Sequence, residues 1–185
     1  MSTWTLDPAH SQIEFSVKHM MVTTVRGQFR KFTTEVDFDE NHPERSSVVA
    51  HIDASSIDTG MEARDAHLRS PDFLDAATYP ELVFRSTHIE PSGDGFKIVG
   101  DLTMHGQTHP VTLDAEIGGV VANMQGGRRA GFSASTKISR KVWGLTWNGA
   151  LESGGVLVSD EIKITMDLAV VQAEAVKTKV LVGVA

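Results

Sequence analysis

Apolar and polar residues alternate one for one through this chain, and the pattern never gives way to a long helical stretch. In Gln12-Ile13-Glu14-Phe15-Ser16-Val17-Lys18-His19, residues 13, 15 and 17 are apolar and the residues between them polar. Successive side chains on a strand point to opposite faces, so this segment reads as a strand with one core face and one wet face. The alternation returns over residues 96–104, 111–117 and 162–168. One-sided strands in series fold into antiparallel sheet that closes on itself or stacks on a second sheet. A closed sheet encloses an apolar space, and what fills that space becomes the functional question.

Eight strands are expected, near residues 10–20, 26–39, 46–56, 81–90, 95–105, 109–118, 130–139 and 160–171. Connections at 39–43, 91–95 and 105–109 carry Gly, Pro, Asn or Asp, the residues that permit turn backbone angles. Phe29 and Phe32 cannot share a face on a regular strand, so a bulge is expected between them. One helix is expected over Gly60–Arg69, ahead of Ser70-Pro71, with Met61 and Leu68 on one side. Residues 1–172 form one barrel domain in this reading. The tail of 173–185 is ambiguous, with a short helix over 173–179 and a strand or apolar anchor over 180–182 as candidates.

At 185 residues the chain can bury a sizeable core. A net charge of -7 with no basic patch argues against nucleic acid as a partner. The absence of cysteine excludes disulfides, thiol catalysis and cysteine-ligated metal. No run approaches the ~18 apolar residues of a membrane helix, so no integral membrane segment is expected. Residues 1–7 lack a basic and then apolar leader. The expected compartment is therefore the cytoplasm, or the periplasm if a leader has been removed.

In an up-and-down order the loops alternate between two rims. Loops 20–26, 54–81, 105–109 and 139–160 then share one rim with the helix, and 39–46, 90–95 and 118–130 share the other. The rim with the longer loops is the expected entrance, with the helix as its lid.

Several segments resemble the YceI-like family: Phe15-Ser16-Val17-Lys18-His19, Val25-Arg26-Gly27-Gln28-Phe29, residues 64–74, Tyr79-Pro80-Glu81-Leu82-Val83-Phe84, residues 100–108, and Ser139-Arg140 with Gly144-Leu145. They run in family order from about residue 3 to residue 170. The resemblance implies an all-β fold: an eight-stranded antiparallel lipocalin-like barrel with one short helix between the third and fourth strands. It also implies that a long-chain isoprenoid or similar amphiphile binds inside. Many relatives are periplasmic. The family has no agreed catalytic residues, so none is carried over.

An eight-stranded barrel either fills with side chains or holds one small ligand. Val17, Phe29, Phe84, Leu102, Met104, Leu113 and Ile164 are the ligand-lining candidates nearest the entrance. Phe15, Phe132, Ala134 and Met166 are candidates deeper in. Met104 and Met166 suit an adaptable wall, because thioethers fit irregular shapes. His19 is either a satisfied rim residue or a contact for a ligand head group. Trp147 and Trp143 line the mouth, plug it or form a homodimer contact. Arg140 is expected to anchor their loop to a carboxylate, and Gly27 and Gly100 to allow close packing. His105 and His109 flank a turn, which makes a helical zinc motif inapplicable. Asp7, His10 and Ser11 have the residue types of a triad without its glycine-rich elbow.

The sequence thus points to a soluble, non-enzymatic binder of a long isoprenoid or other lipid, for example a quinone precursor, with no cofactor or metal. It does not choose between transport, storage and sequestration. Two rivals remain: an enzyme on a lipid-like substrate using His19, His105 or Asp101, and an interaction module with a filled barrel.

Overall fold

A computed structural model describes residues 2–124 and 126–172. The two tail elements expected over 173–182 lie outside the described residues. The strands are β1 Ser2–Leu6, β2 Gln12–His19, β3 Thr23–Phe29, β4 Phe32–Phe38, β5 Ser47–Asp53, β6 Ile57–Asp58, β7 Glu81–Ser92, β8 Gly95–Met104, β9 Gln107–Ala122, β10 Arg128–Ser139 and β11 Val158–Gln172. The helix α1, Glu62–Arg69, lies between β6 and β7.

These segments trace eight walls, because the first three walls are each broken once. Pro8–His10 forms a 3-10 turn between β1 and β2, where proline has no N–H to give a ladder and Asp7 accepts from Ala9 N. Arg30 and Lys31 separate β3 from β4, and a second 3-10 turn separates β5 from β6. β11 pairs with β2 along its first half, Phe15 opposite Ile164, and with β1 at its end, Leu6 opposite Val170. That double pairing closes an antiparallel ring in up-and-down order.

The alternation therefore gives the right walls, with two local corrections. Between Phe29 and Phe32 the strand breaks outright instead of bulging, and both rings pack on one core cluster. The break lets two inward residues sit three apart. The loop expected at 105–109 is a two-residue turn, His105-Gly106, between the paired Met104 and Gln107; His109 lies within β9. Both turn residues have positive φ, 52° and 72°. That is the sign pattern of the turn whose twist matches a hairpin.

Two buried clusters occupy the interior. The larger takes Ile13, Phe84, Leu102, Met104 and Leu113 from the walls and Leu74, Trp143 and Leu145 from the loops above. The smaller closes the opposite end with Trp4, Val36, Phe38, Ala130 and Val170. There Phe38 meets the Trp4 and Phe132 rings edge-on, at 5.9 and 5.1 Å between centroids. Gly100 leaves room for Phe84: a Cβ there would stand 2.5 Å from both the Phe84 ring and the Arg85 carbonyl.

Candidate functional site

The barrel is not packed solid. An upper cavity of about 160 Å³ lies under the helix-bearing rim, and a lower one of about 100 Å³ lies nearer the closed end. Phe84 on β7, Leu113 on β9 and Met166 on β11 border both cavities and form the partition between them. The upper lining is apolar except for Glu14, Thr136 and Arg140. Burying an apolar chain there is favoured at roughly 25 cal/mol per Å² removed from water. Small-molecule sites usually run to ~300–1,000 Å³. A long chain therefore enters only if the partition side chains move. Met166 is suited to that, having three rotatable bonds and a soft thioether.

Most residues singled out from the sequence come together here. Phe15, Val17, Phe29, Phe84, Leu102, Met104, Leu113, Ile164 and Met166 line the upper cavity. Phe132 and Ala134 line the lower one, with Phe84, Leu113 and Met166. His19 and Trp147 line neither. His19 ends β2 half-buried, paired with Thr23 and Val158. Alternation alone did not reveal the contributions from loops and lid: Leu68, Phe73, Leu74, Leu145 and Arg140. Apolar residues clustered at 68, 73 and 74 beside the helix were the available signal.

The lid is held on two sides. Asp65, buried on α1, accepts from Thr59 N at 2.9 Å and Thr59 Oγ1 at 2.5 Å. Arg69 Nε donates to Ser55 O at 3.0 Å, fixing the helix end to the β5–β6 wall. Towards the long loop, the His67 ring meets Trp147 at 4.7 Å and Phe73 at 5.0 Å, and Asp72 Oδ2 lies 2.8 Å from His67 Nε2. Leu68 faces the cavity, whereas Met61 precedes the helix and is exposed, contrary to the expected shared face.

Arg140 holds the long loop by a different route from the one expected. Its side chain is buried, and it donates to four backbone carbonyls: Leu145 O at 2.6 Å, Trp147 O at 2.9 Å, Ser159 O at 3.0 Å and Val158 O at 3.3 Å. The carboxylate nearby, Asp160, takes the Ser139 hydroxyl at 2.6 Å and the Lys141 N–H at 3.2 Å instead. Leu145 and Trp147 lie on the loop and Val158 and Ser159 at the start of β11, so one guanidinium, with five donors in one plane, ties the loop to the last wall. Burial pulls the Arg140 pKa down, opposed by the Asp160 charge, yet from so high a start that it stays protonated. The Ser139 hydroxyl holds the Asp160 carboxyl below its ordinary value.

Trp143 is part of the core, not of a mouth or dimer face. It is 3% exposed, and its Nε1–H donates to Leu102 O at 3.0 Å. His105 Nδ1 lies 3.1 Å from Trp143 O, and His109 stacks edge-on against the Trp143 ring at 5.2 Å. Among the described residues, no group of three or more His, Asp and Glu is placed to hold a metal ion. Asp7 and His10 do pair, at 2.9 Å, but Ser11 Oγ is bonded both ways to the backbone of Ala169, so the three form no relay. Asp101 is exposed on β8. Among the described residues no helix is long and apolar enough to cross a membrane.

Comparison with known proteins agrees with this architecture. The profile described as the YceI-like domain matches residues 4–170. A UPF0312 protein of Staphylococcus epidermidis is 40% identical over 164 residues, covering 88% of this chain and 94% of that protein. The crystal structure of the Campylobacter jejuni YceI protein superposes with a TM-score of 0.74 at 31% identity, covering 94% of this chain and 100% of that one. A polyisoprenoid binding domain from Saccharophagus degradans, implicated in plant cell wall breakdown, shares the fold at a TM-score of 0.61 and 13% identity, with 93% and 99% covered.

Proposed function

We propose that this chain, which belongs to the YceI-like domain family, binds an amphiphile with a long apolar tail, of the polyisoprenoid class, inside its barrel. The observation that carries the reading is the pair of apolar cavities that share Phe84, Leu113 and Met166 as a common wall. One void would suit a compact ligand; two sharing a wall suit a chain. The fold shared with a polyisoprenoid binding domain supports the same ligand class. Phe15, Val17, Phe29, Leu102, Met104 and Ile164 would hold the upper stretch of tail, and Phe132 and Ala134 its far end. The family supports a binding role, and the cavity lining offers shape and apolar surface in place of converging polar groups.

The test is native mass spectrometry of protein purified without detergent, organic extraction of whatever co-purifies, and titration with a fluorescent polyene. Binding is expected, and His105→Ala should change it by less than about twofold, since His105 lines neither cavity and faces Trp143 O and Tyr79. No polyene binding, with nothing apolar extracted, would sink the proposal.

A further inference from the structure

Eight large apolar side chains are exposed among the described residues, and six stand on loops of the helix-bearing rim: Met20, Met21, Val22, Met61, Val142 and Val156. The sharpest concentration is the β2–β3 hairpin tip, where Met20 is 48%, Met21 64% and Val22 80% exposed. The backbone there is unusual as well. Met20 has φ 51° and Met21 φ 60°, and Val22 N donates to His19 O at 3.2 Å to close the turn. Both central positions of such a turn strongly prefer Asn and Gly. Here two methionines occupy them, unfavourable for the backbone and unfavourable for exposure to water. A local rule broken twice at one place points to a use for those side chains.

We propose that this rim docks on a lipid bilayer, with the Met20–Val22 tip inserting among the acyl chains. The proposal rests in part on the lipid-binding reading, because a tail entering the upper cavity must come from an apolar phase. The tip is continuous with that cavity: Val17 of the same hairpin lines it, and so does Val158, which pairs with His19. Met21 reaches across to the neighbouring loop, for a Cβ on Gly155 would stand 2.6 Å from its Sδ, which sets it beside Val156. The six side chains stand on three loop tips and form no flat face for a second copy, but they suit a deformable partner that each tip can enter alone. The net charge of -7 gives no general attraction to anionic lipid. The binding expected is therefore apolar and insensitive to salt.

The experiment is co-flotation of the full chain with vesicles of phosphatidylcholine, alone or with added phosphatidylserine, at low and high salt. The decisive variant is Met20→Asn with Met21→Gly, which installs the residues this turn prefers. It should fold and melt no lower than the parent, yet float at least tenfold less. Val121→Ser with Met124→Ser, on the opposite rim, should float as the parent does. The proposal is overturned if the parent does not float, if the hairpin variant floats as well as the parent, or if flotation requires anionic lipid and is abolished by salt. It is also overturned if sedimentation shows a dimer that the hairpin variant loses. Polyene titration without vesicles is a separate readout: a hairpin variant that still binds polyene but no longer floats supports docking as a distinct property of the tip. A parent that floats but binds no polyene refutes the cavity reading and leaves docking supported.

Discussion

Replacing Arg140 by methionine should cost as much stability as a large-to-small change in the core of this protein. Its guanidinium reaches the carbonyls of Leu145, Trp147, Val158 and Ser159, and the bond to Leu145 O is buried while the other three are partly so. Methionine fills much of the same space and donates nothing. The carbonyls belong to the backbone, so no companion substitution removes them. A buried acceptor left unmade costs about 1–3 kcal/mol, and each acceptor that water can still reach loses about 1 kcal/mol. These figures are already net of the water each group gives up, so desolvation of the cation is not counted again. Val158 O keeps a donor in Asn148 Nδ2 at 2.7 Å, so the expected loss is roughly 3–5 kcal/mol, against the ~5–15 kcal/mol that typically holds a domain together.

Arg140→Lys keeps the charge but gathers three donors on one atom, and should recover about half of that loss. Urea unfolding of the three proteins provides the numbers, and the slope shows whether the transition remains two-state. A loss below about 1 kcal/mol for Arg140→Met, at unchanged slope, would refute the claim that these four bonds hold the long loop on the barrel.

Ala134→Phe places a ring in the lower cavity. Because about 100 Å³ is open there and Met166 can adjust, the change should cost less than the ~1–3 kcal/mol of overpacking while cutting polyene affinity at least tenfold; full overpacking without loss of binding would show that no tail reaches that end. Asp160 titrates below its ordinary value because the Ser139 hydroxyl and Lys141 N–H bond its carboxylate. Its stabilisation is therefore present above the unfolded-chain pKa of about 3.9 and is lost as pH falls through the lower folded value. The stability gap between the parent and Asp160→Asn should shrink on acidification through that range, and a gap that widens instead would reverse the sign of this account.

Period-two alternation determined the walls of this protein and the inward residues of each. It needs only neighbours in sequence, so Phe15, Leu102, Leu113 and Ile164 could be assigned inward before any pairing was known. Once the order is up-and-down, counting strands also fixes which loops share a rim, which is why α1, Trp147 and the turn at His105 could be placed together. The first wall is longer than alternation suggests, because Ser2–Leu6 is too brief to show a period and Pro8 cuts it from β2. Tertiary structure alone decided how much room is left inside. The partition is built by Phe84, Leu113 and Met166 from three strands far apart in the chain, and its volume is a small difference between side-chain volumes that no local pattern encodes. The partners of Arg140 were hidden for a related reason. A basic residue suggests a carboxylate, but the acceptors it found are backbone carbonyls, two on the loop and two at the start of β11, present at every residue and gathered round one guanidinium only by the way this loop folds back.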